Sequence, residues 1–213
     1  MNHKQEGPPA ASQVPSRHTF PRVLITGVPG AGKTSIAAGI SESIPDVEIC
    51  EFGQLMAKIG KKQNLLSSYR DLSSLRLAVR ARLQIAAARD VARLNQPVAI
   101  VAHVIVRAPE GYVEGLPALA LSHLRLTGII VITSDPPEIS DRRSVRVSNR
   151  DGEDSILINS HQELVRQRAL GIAQHHKIPI GYVTNITGEL PKAISDAIQL
   201  WRDFDNHPSS SDL

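Results

Sequence analysis

Gly27-Val28-Pro29-Gly30-Ala31-Gly32-Lys33-Thr34 decides the reading of this chain. The stretch fits G-x-x-x-x-G-K-[ST] at every fixed position, the pattern of a loop whose backbone N–H groups surround a phosphate. Its flanks agree. Arg22-Val23-Leu24-Ile25-Thr26 is a short apolar run of the kind that forms a buried parallel strand. Beyond the loop, Ile36, Ala37, Ile40 and Ile44 recur at helical spacing. A glycine-rich turn from strand to helix aims its amides and the positive end of a helix dipole at one anion. Lys33 supplies a point charge for β- and γ-phosphates, and the Thr34 hydroxyl is placed to bind Mg²⁺. Gly27, Gly30, Ala31, Gly32, Lys33, Thr34 and Ser35 are therefore expected to hold a nucleoside triphosphate. The Lys33 ammonium is expected to face solvent until phosphate arrives.

The rest of the composition bounds what surrounds this loop. A chain of 213 residues suits one α/β domain with a full core, built here from aliphatics and alanine because aromatics are only 3%. A formal charge of +3 suits phosphate-bearing partners but is too weak to argue for nucleic acid. Cys50 is the single cysteine, so no internal disulfide forms, and its apolar neighbours suggest a small core residue. No apolar run reaches membrane-spanning length and the N-terminus lacks a signal-peptide core, so a cytoplasmic protein without membrane contact is expected.

Residues 1–19 and 206–213 are polar and rich in Pro, Ser, Asn or Gln, and are expected to be disordered tails. Between them, residues 20–205 read as one domain. A second strand is expected at Val47-Glu48-Ile49-Cys50, then Glu51-Phe52-Gly53 and a short helix through Leu55, Met56 and Ile59. A long helix is expected from Arg70 to Leu94. Its stripe is Leu72, Leu75, Val79, Leu83, Ala86 and Leu94, with Arg76, Arg80, Arg89 and Arg93 mostly on the solvated face. Pro97 to Ala102 is a third buried strand, and Gly128 to Thr133 a fourth. Ser134-Asp135-Pro136 reads as a helix start, with an arginine cluster of Arg142, Arg143, Arg146 and Arg150 beyond it. A helix from Glu153 to His176, a strand from Ile178 to Val183 and a helix from Leu190 to Phe204 complete the pattern. Such alternation implies a five-stranded parallel sheet with helices on both faces, the P-loop NTPase class, with ligand at the carboxyl ends of the strands.

Several separated segments resemble the archaeal-type adenylate kinases, from about Val23 to Asn185. Thr26-Gly27-Val28-Pro29-Gly30 is similar to that family's loop, Glu51-Phe52-Gly53 to its Asn-Phe-Gly turn, and Tyr69-Arg70-Asp71 to its Arg-Asp helix start. Arg107-Ala108-Pro109-Glu110-Gly111-Tyr112 with Gly115-Leu116-Pro117 is the most specific likeness, and Asn149-Arg150-Asp151 resembles the family's lid end. The resemblance implies a nucleoside monophosphate kinase-like fold in which ATP, assisted by Mg²⁺, donates its γ-phosphoryl group, with AMP as the expected acceptor. It implies an acceptor region at about 51–117 with Arg70, His103 and Arg107 as contacts, and a lid at about 138–153 with Arg142 and Arg150 as catalytic cations beside Lys33. It also allows a homo-oligomer formed through the long helix. The chemistry is consistent, because phosphoryl transfer depends on positioning and charge neutralisation and brings two polyanions together.

Three positions depart from the family pattern. Val101 stands where the family has an aspartate expected to serve Mg²⁺ through its hydration shell. Ser74 stands at the place of an acceptor-region arginine, and Ser148 at that of a lid arginine. Two other functions are therefore carried alongside the kinase: a slow P-loop ATPase, or one acting on another small acceptor, and a nucleotide-dependent binding module. Glu51 and Asp135 are further carboxylates that could serve the metal.

Overall fold

The computed structural model describes residues 20–108, 111–146 and 154–206. Both expected tails, apart from Asn206, lie outside the described residues, as do Arg150 and the end of the expected lid. Five strands form the expected parallel sheet: β1 (Arg22–Thr26), β2 (Glu48–Glu51), β3 (Val98–Val101), β6 (Gly128–Thr133) and β7 (Ile180–Thr184), in the order β2-β3-β1-β6-β7. Val23, Leu24 and Ile25 are fully buried although successive side chains point to opposite faces, so β1 is covered on both sides. That is why the strand reads as a continuous apolar run and does not alternate.

Connections of one hand place the helices. From β1 the chain crosses to the edge strand β2 through α1 (Lys33–Ser43). It then returns in the opposite direction through α2 (Phe52–Lys62) and α3 (Leu77–Ala92) to β3, through α4 (Ala118–Leu124) to β6, and through α5 (Pro136–Arg146) and α6 (Ser155–His176) to β7. Right-handed crossovers in opposite directions lie on opposite faces. Accordingly α1 packs against the last helix, α7 (Leu190–Asp205), on one face, while α2, α3 and α4 pack in series on the other. Gly128 and Gly181 let α7 settle on the sheet, since a Cβ at either would collide with Phe204 or Leu200. Among the described residues, no helix is long and apolar enough to cross a membrane. Cys50 is buried, and burial followed by Glu48 and Glu51 raises its thiol pKa to about 12, as befits an inert core residue.

Two local features differ from the sequence reading. The expected helix over 70–94 is broken into a 3₁₀ turn, Tyr69–Ser73, and the later helix α3. The reason lies at Ser68 and Asp71. Asp71 accepts hydrogen bonds from the Ser67 and Ser68 amides at 2.8 and 2.7 Å, a capping box that starts one short turn, and Arg76 then adopts an extended backbone that starts a new one. The buried face of α3 is consequently Leu83, Gln84, Ala87, Ala88 and Val91. The second difference follows β3. Residues 105–114 form an antiparallel hairpin, β4 (Ile105–Ala108) with β5 (Gly111–Glu114), pairing Arg107 with Tyr112. The hairpin stands apart from the main sheet, and an Arg168–Glu114 ion pair at 2.9 Å ties it to α6.

Candidate active site

β1 delivers the chain into the loop, and two long-range ties and one local turn set the loop's shape. Gly32 starts α1 in the left-handed region, at φ 98°, and a Cβ there would collide with the Asn185 amide. That amide donates to the Ala31 carbonyl at 2.9 Å, while Arg143 Nε on α5 donates to the Pro29 carbonyl at 2.9 Å. Ala31 N also closes a turn onto the Val28 carbonyl at 3.2 Å. Gly32 has no side chain with which to cap α1, and the first intrahelical bond runs from Ile36 N to Gly32 O. The Thr34 and Ser35 amides therefore have no acceptor inside the helix, which is what a phosphate requires.

Lys33 departs from expectation. Its side chain is buried, and Nζ donates to the Val28 carbonyl at 2.9 Å. A flexible four-carbon stem lets the ammonium exchange that carbonyl for a phosphate oxygen, so the loop holds its own cation in reserve close to the anion site. Thr34 and Ser35 are exposed beside it.

A cavity of about 560 Å³ opens from the loop toward the β2 and β3 side. Among the expected site residues, Gly30, Lys33, Thr34, Arg70, His103 and Arg107 all line it, drawn from the loop, the 3₁₀ turn, the end of β3 and the hairpin. Glu51 and Val101 line it too, and they are register partners on neighbouring strands. Gly27, Ala31, Gly32 and Ser35 belong to the loop but do not line this cavity, nor does Asp135. Gly115 closes one wall, because its missing Cβ leaves room for the His103 carbonyl, and it receives a bond from Gln84 Nε2.

His103 is a neutral imidazole here. Nδ1 lies 3.0 Å from the Gly27 carbonyl, which can only accept, so Nδ1 carries the hydrogen and Nε2 is the acceptor. Burial pushes its pKa down to about 3, the Lys33 charge adds to this, and the bond to Gly27 opposes it only in part. Burial likewise lowers the pKa of His161, which packs against Tyr112 in a tilted contact with ring centroids 4.8 Å apart.

Arg142 lies behind the loop, in a network of its own. It does not line the cavity; its guanidinium bonds to Glu138 Oε2 at 2.8 Å, Thr187 Oγ1 at 2.9 Å, Ser134 Oγ at 3.1 Å and the Asn185 carbonyl at 3.2 Å. Burial alone would raise the Glu138 pKa, but the Thr187 amide, the Ser134 and Thr187 hydroxyls and Arg142 outweigh it and hold the carboxyl below its usual range. Gln162 completes the knot, accepting from the Ser134 amide and donating to the Ser134 carbonyl. The sequence reading did not single out Asn185, Gln162 or Gln84. Their signal is a long-range amide contact that no local pattern carries.

A phosphate loop on β1 of a β2-β3-β1-β6-β7 sheet, facing an arginine-lined cavity, defines a P-loop kinase. Comparison with known proteins agrees. Residues 26–161 match the model of a family described as an AAA domain. The chain is similar to the adenylate kinase of Methanoculleus marisnigri, at 32% identity over 188 residues, covering 85% of this chain and 98% of that protein. It is also similar to the adenylate kinase of Methanococcus vannielii, at 31% identity and 84% and 97% coverage. The chain belongs to the adenylate kinase family. Among solved structures, shikimate kinase from Acinetobacter baumannii has a similar fold, with a TM-score of 0.58 at 13% identity, covering 89% of this chain and 97% of that one. Shikimate kinase from Bacteroides thetaiotaomicron gives a TM-score of 0.57 at 14% identity, with 86% and 99% coverage.

Proposed function

We propose that the chain transfers the γ-phosphoryl group of ATP to AMP, giving two molecules of ADP. The observation that carries this reading is the single cavity shared by Lys33 and Thr34 of the loop and Arg70 and Arg107 of the acceptor region. Donor and acceptor phosphates held at its two ends would meet between them, where position and neutralised charge lower the barrier. The loop amides and Lys33 hold the β- and γ-phosphates. Arg70 and Arg107 grip the acceptor phosphate, for which guanidinium forks are suited. Neutral His103 offers Nε2 as an acceptor at the same wall without adding charge.

Thr34 and Glu51 are the oxygen donors at the cavity that suit Mg²⁺, and such an ion needs only one or two protein groups when waters and phosphates complete its shell. Held there by Thr34 and Glu51, the ion would supply positive charge against the charge that develops on the phosphate oxygens during transfer. Arg142 acts in this reading as a brace between α5 and the β7 end, holding the loop from behind; Arg150 is assigned to the lid on motif alone.

Val101 supports a second reading, slow hydrolysis of ATP without an acceptor, because an apolar residue occupies the expected acid position. ADP formation measured with and without AMP separates the two. AMP-dependent formation is the expected result. ADP formed equally fast without AMP supports the hydrolase, and ATP binding without turnover overturns both.

A further inference from the structure

We propose that Arg80 supplies a third guanidinium to the acceptor-phosphate site, beside Arg70 and Arg107. The inference rests on the acceptor reading above and extends it to a residue that sequence pattern assigns to the solvated face of a helix. Arg80 precedes Gln84 by four positions and Leu83 by three, so it shares the buried face of α3. Arg76, Arg82, Arg89 and Arg93 are exposed, whereas Arg80 is half-buried and lines the cavity. One corner of its guanidinium is already fixed: Nη2 donates to the Ser73 carbonyl at 2.8 Å, at the end of the 3₁₀ turn that carries Arg70. That bond uses one of five N–H groups and holds the fork in place, which lowers the ordering cost when a phosphate binds.

Charge at the site points the same way. Lys33, Arg70, Arg80 and Arg107 line the cavity, and among the described lining residues Glu51 alone is acidic. Asp71, the nearest acid in sequence to Arg70, is spent on the Ser67 and Ser68 amides. A cavity with this balance suits two phosphate groups brought together. Two arginines from one short segment, Arg70 directly and Arg80 through Ser73, give a dianionic monophosphate a paired grip opposite Arg107.

The test uses the full chain with Arg80→Met, which keeps most of the stem, and Arg80→Lys, which keeps the charge without the fork. KM is measured for AMP and for ATP, and melting midpoints are taken with neither, with AMP and with ATP. Loss of a charge-assisted bond to phosphate is expected to raise KM for AMP about tenfold to a hundredfold in Arg80→Met. The rise should be smaller in Arg80→Lys, with KM for ATP within about twofold of the parent. AMP should no longer raise the melting midpoint of Arg80→Met, while ATP still does. An unchanged KM for AMP overturns the assignment. So does an equal rise in both KM values with a lower unliganded midpoint, the signature of a residue that only braces Ser73. A parent chain that responds to AMP beside an Arg80→Met variant that responds equally removes Arg80 alone; a parent that shows neither AMP-dependent turnover nor an AMP shift removes the acceptor reading and Arg80 with it.

Discussion

Replacing Val101 with aspartate tests the metal account of the site directly. Val101 sits at the end of β3, 8% exposed, paired in register with Ile25 on one side and Glu51 on the other. Register partners on adjacent strands lie about 4.8 Å apart and point to the same face, so Val101→Asp places a second carboxylate beside Glu51. Lys33 is the compensating cation among the lining residues of that corner. Losing a buried valine side chain and drying a carboxylate beside a like charge should cost about 1–3 kcal/mol in the unliganded chain. For a domain of this size that lowers the melting midpoint by about 2–12 °C. Mg²⁺ with ATP should recover most of the loss, because two carboxylates on the wall of the cavity that Thr34 also lines would then face a divalent charge. The same charge, better held in the transition state, should speed ADP formation by about tenfold to a hundredfold, equivalent to about 1–3 kcal/mol. The assay is ADP formation across a Mg²⁺ titration, with melts in parallel. A variant that melts lower as expected, yet gains neither rate nor Mg²⁺ affinity, would refute the reasoning.

Four further outcomes follow from the geometry. Lys33→Ala should abolish turnover by removing the reserve cation while leaving the fold intact, the bond to the Val28 carbonyl being worth about 1 kcal/mol; ADP assays and calorimetry check both. Arg107→Ala should raise KM for AMP much more than KM for ATP in steady-state kinetics, and an equal loss for both would move Arg107 to the donor side. Asn185→Ala should leave the Ala31 carbonyl without its donor, lowering stability by about 1–3 kcal/mol and weakening ATP binding in a calorimetric titration. His103 is neutral in the folded chain down to about pH 3, whereas in the unfolded chain it gains a proton below about 6.5. The unfolded state therefore binds more protons between those values, and stability contributed by His103 is lost as pH falls through that window. His103→Asn, which can keep a donor for Gly27, should flatten the fall in melting midpoint between pH 7 and pH 4.

The features legible in the sequence are those whose causes are local. The loop motif, its strand and its helix occupy one continuous stretch, and each buried strand announces itself as an unbroken apolar run. The break in the 70–94 helix was also written locally, since Ser68-x-x-Asp71 is a capping pattern. A continuing heptad-like run of leucines and arginines outweighed it. The hairpin escaped because its strands are four residues each and lie off the main sheet, so neither length nor alternation stood out. Arg142 reads as a lid cation from its neighbours in sequence, but Glu138 one turn back and Thr187 from a distant loop engage it. Asn185 and Gln162 act through partners 154 and 28 residues away, and composition has no means of expressing such pairings.

The Asn185 tie also bears on the order in which the chain can become competent. A nascent chain that has emerged as far as β6 contains the whole glycine motif, its strand and its helix. It lacks the amide that fills the space over Gly32 and holds the Ala31 carbonyl. The loop therefore lacks this brace until β7 docks beside β6. A product truncated before Asn185 would carry the signature of the loop in its sequence without the contact that fixes its shape at Ala31 and Gly32.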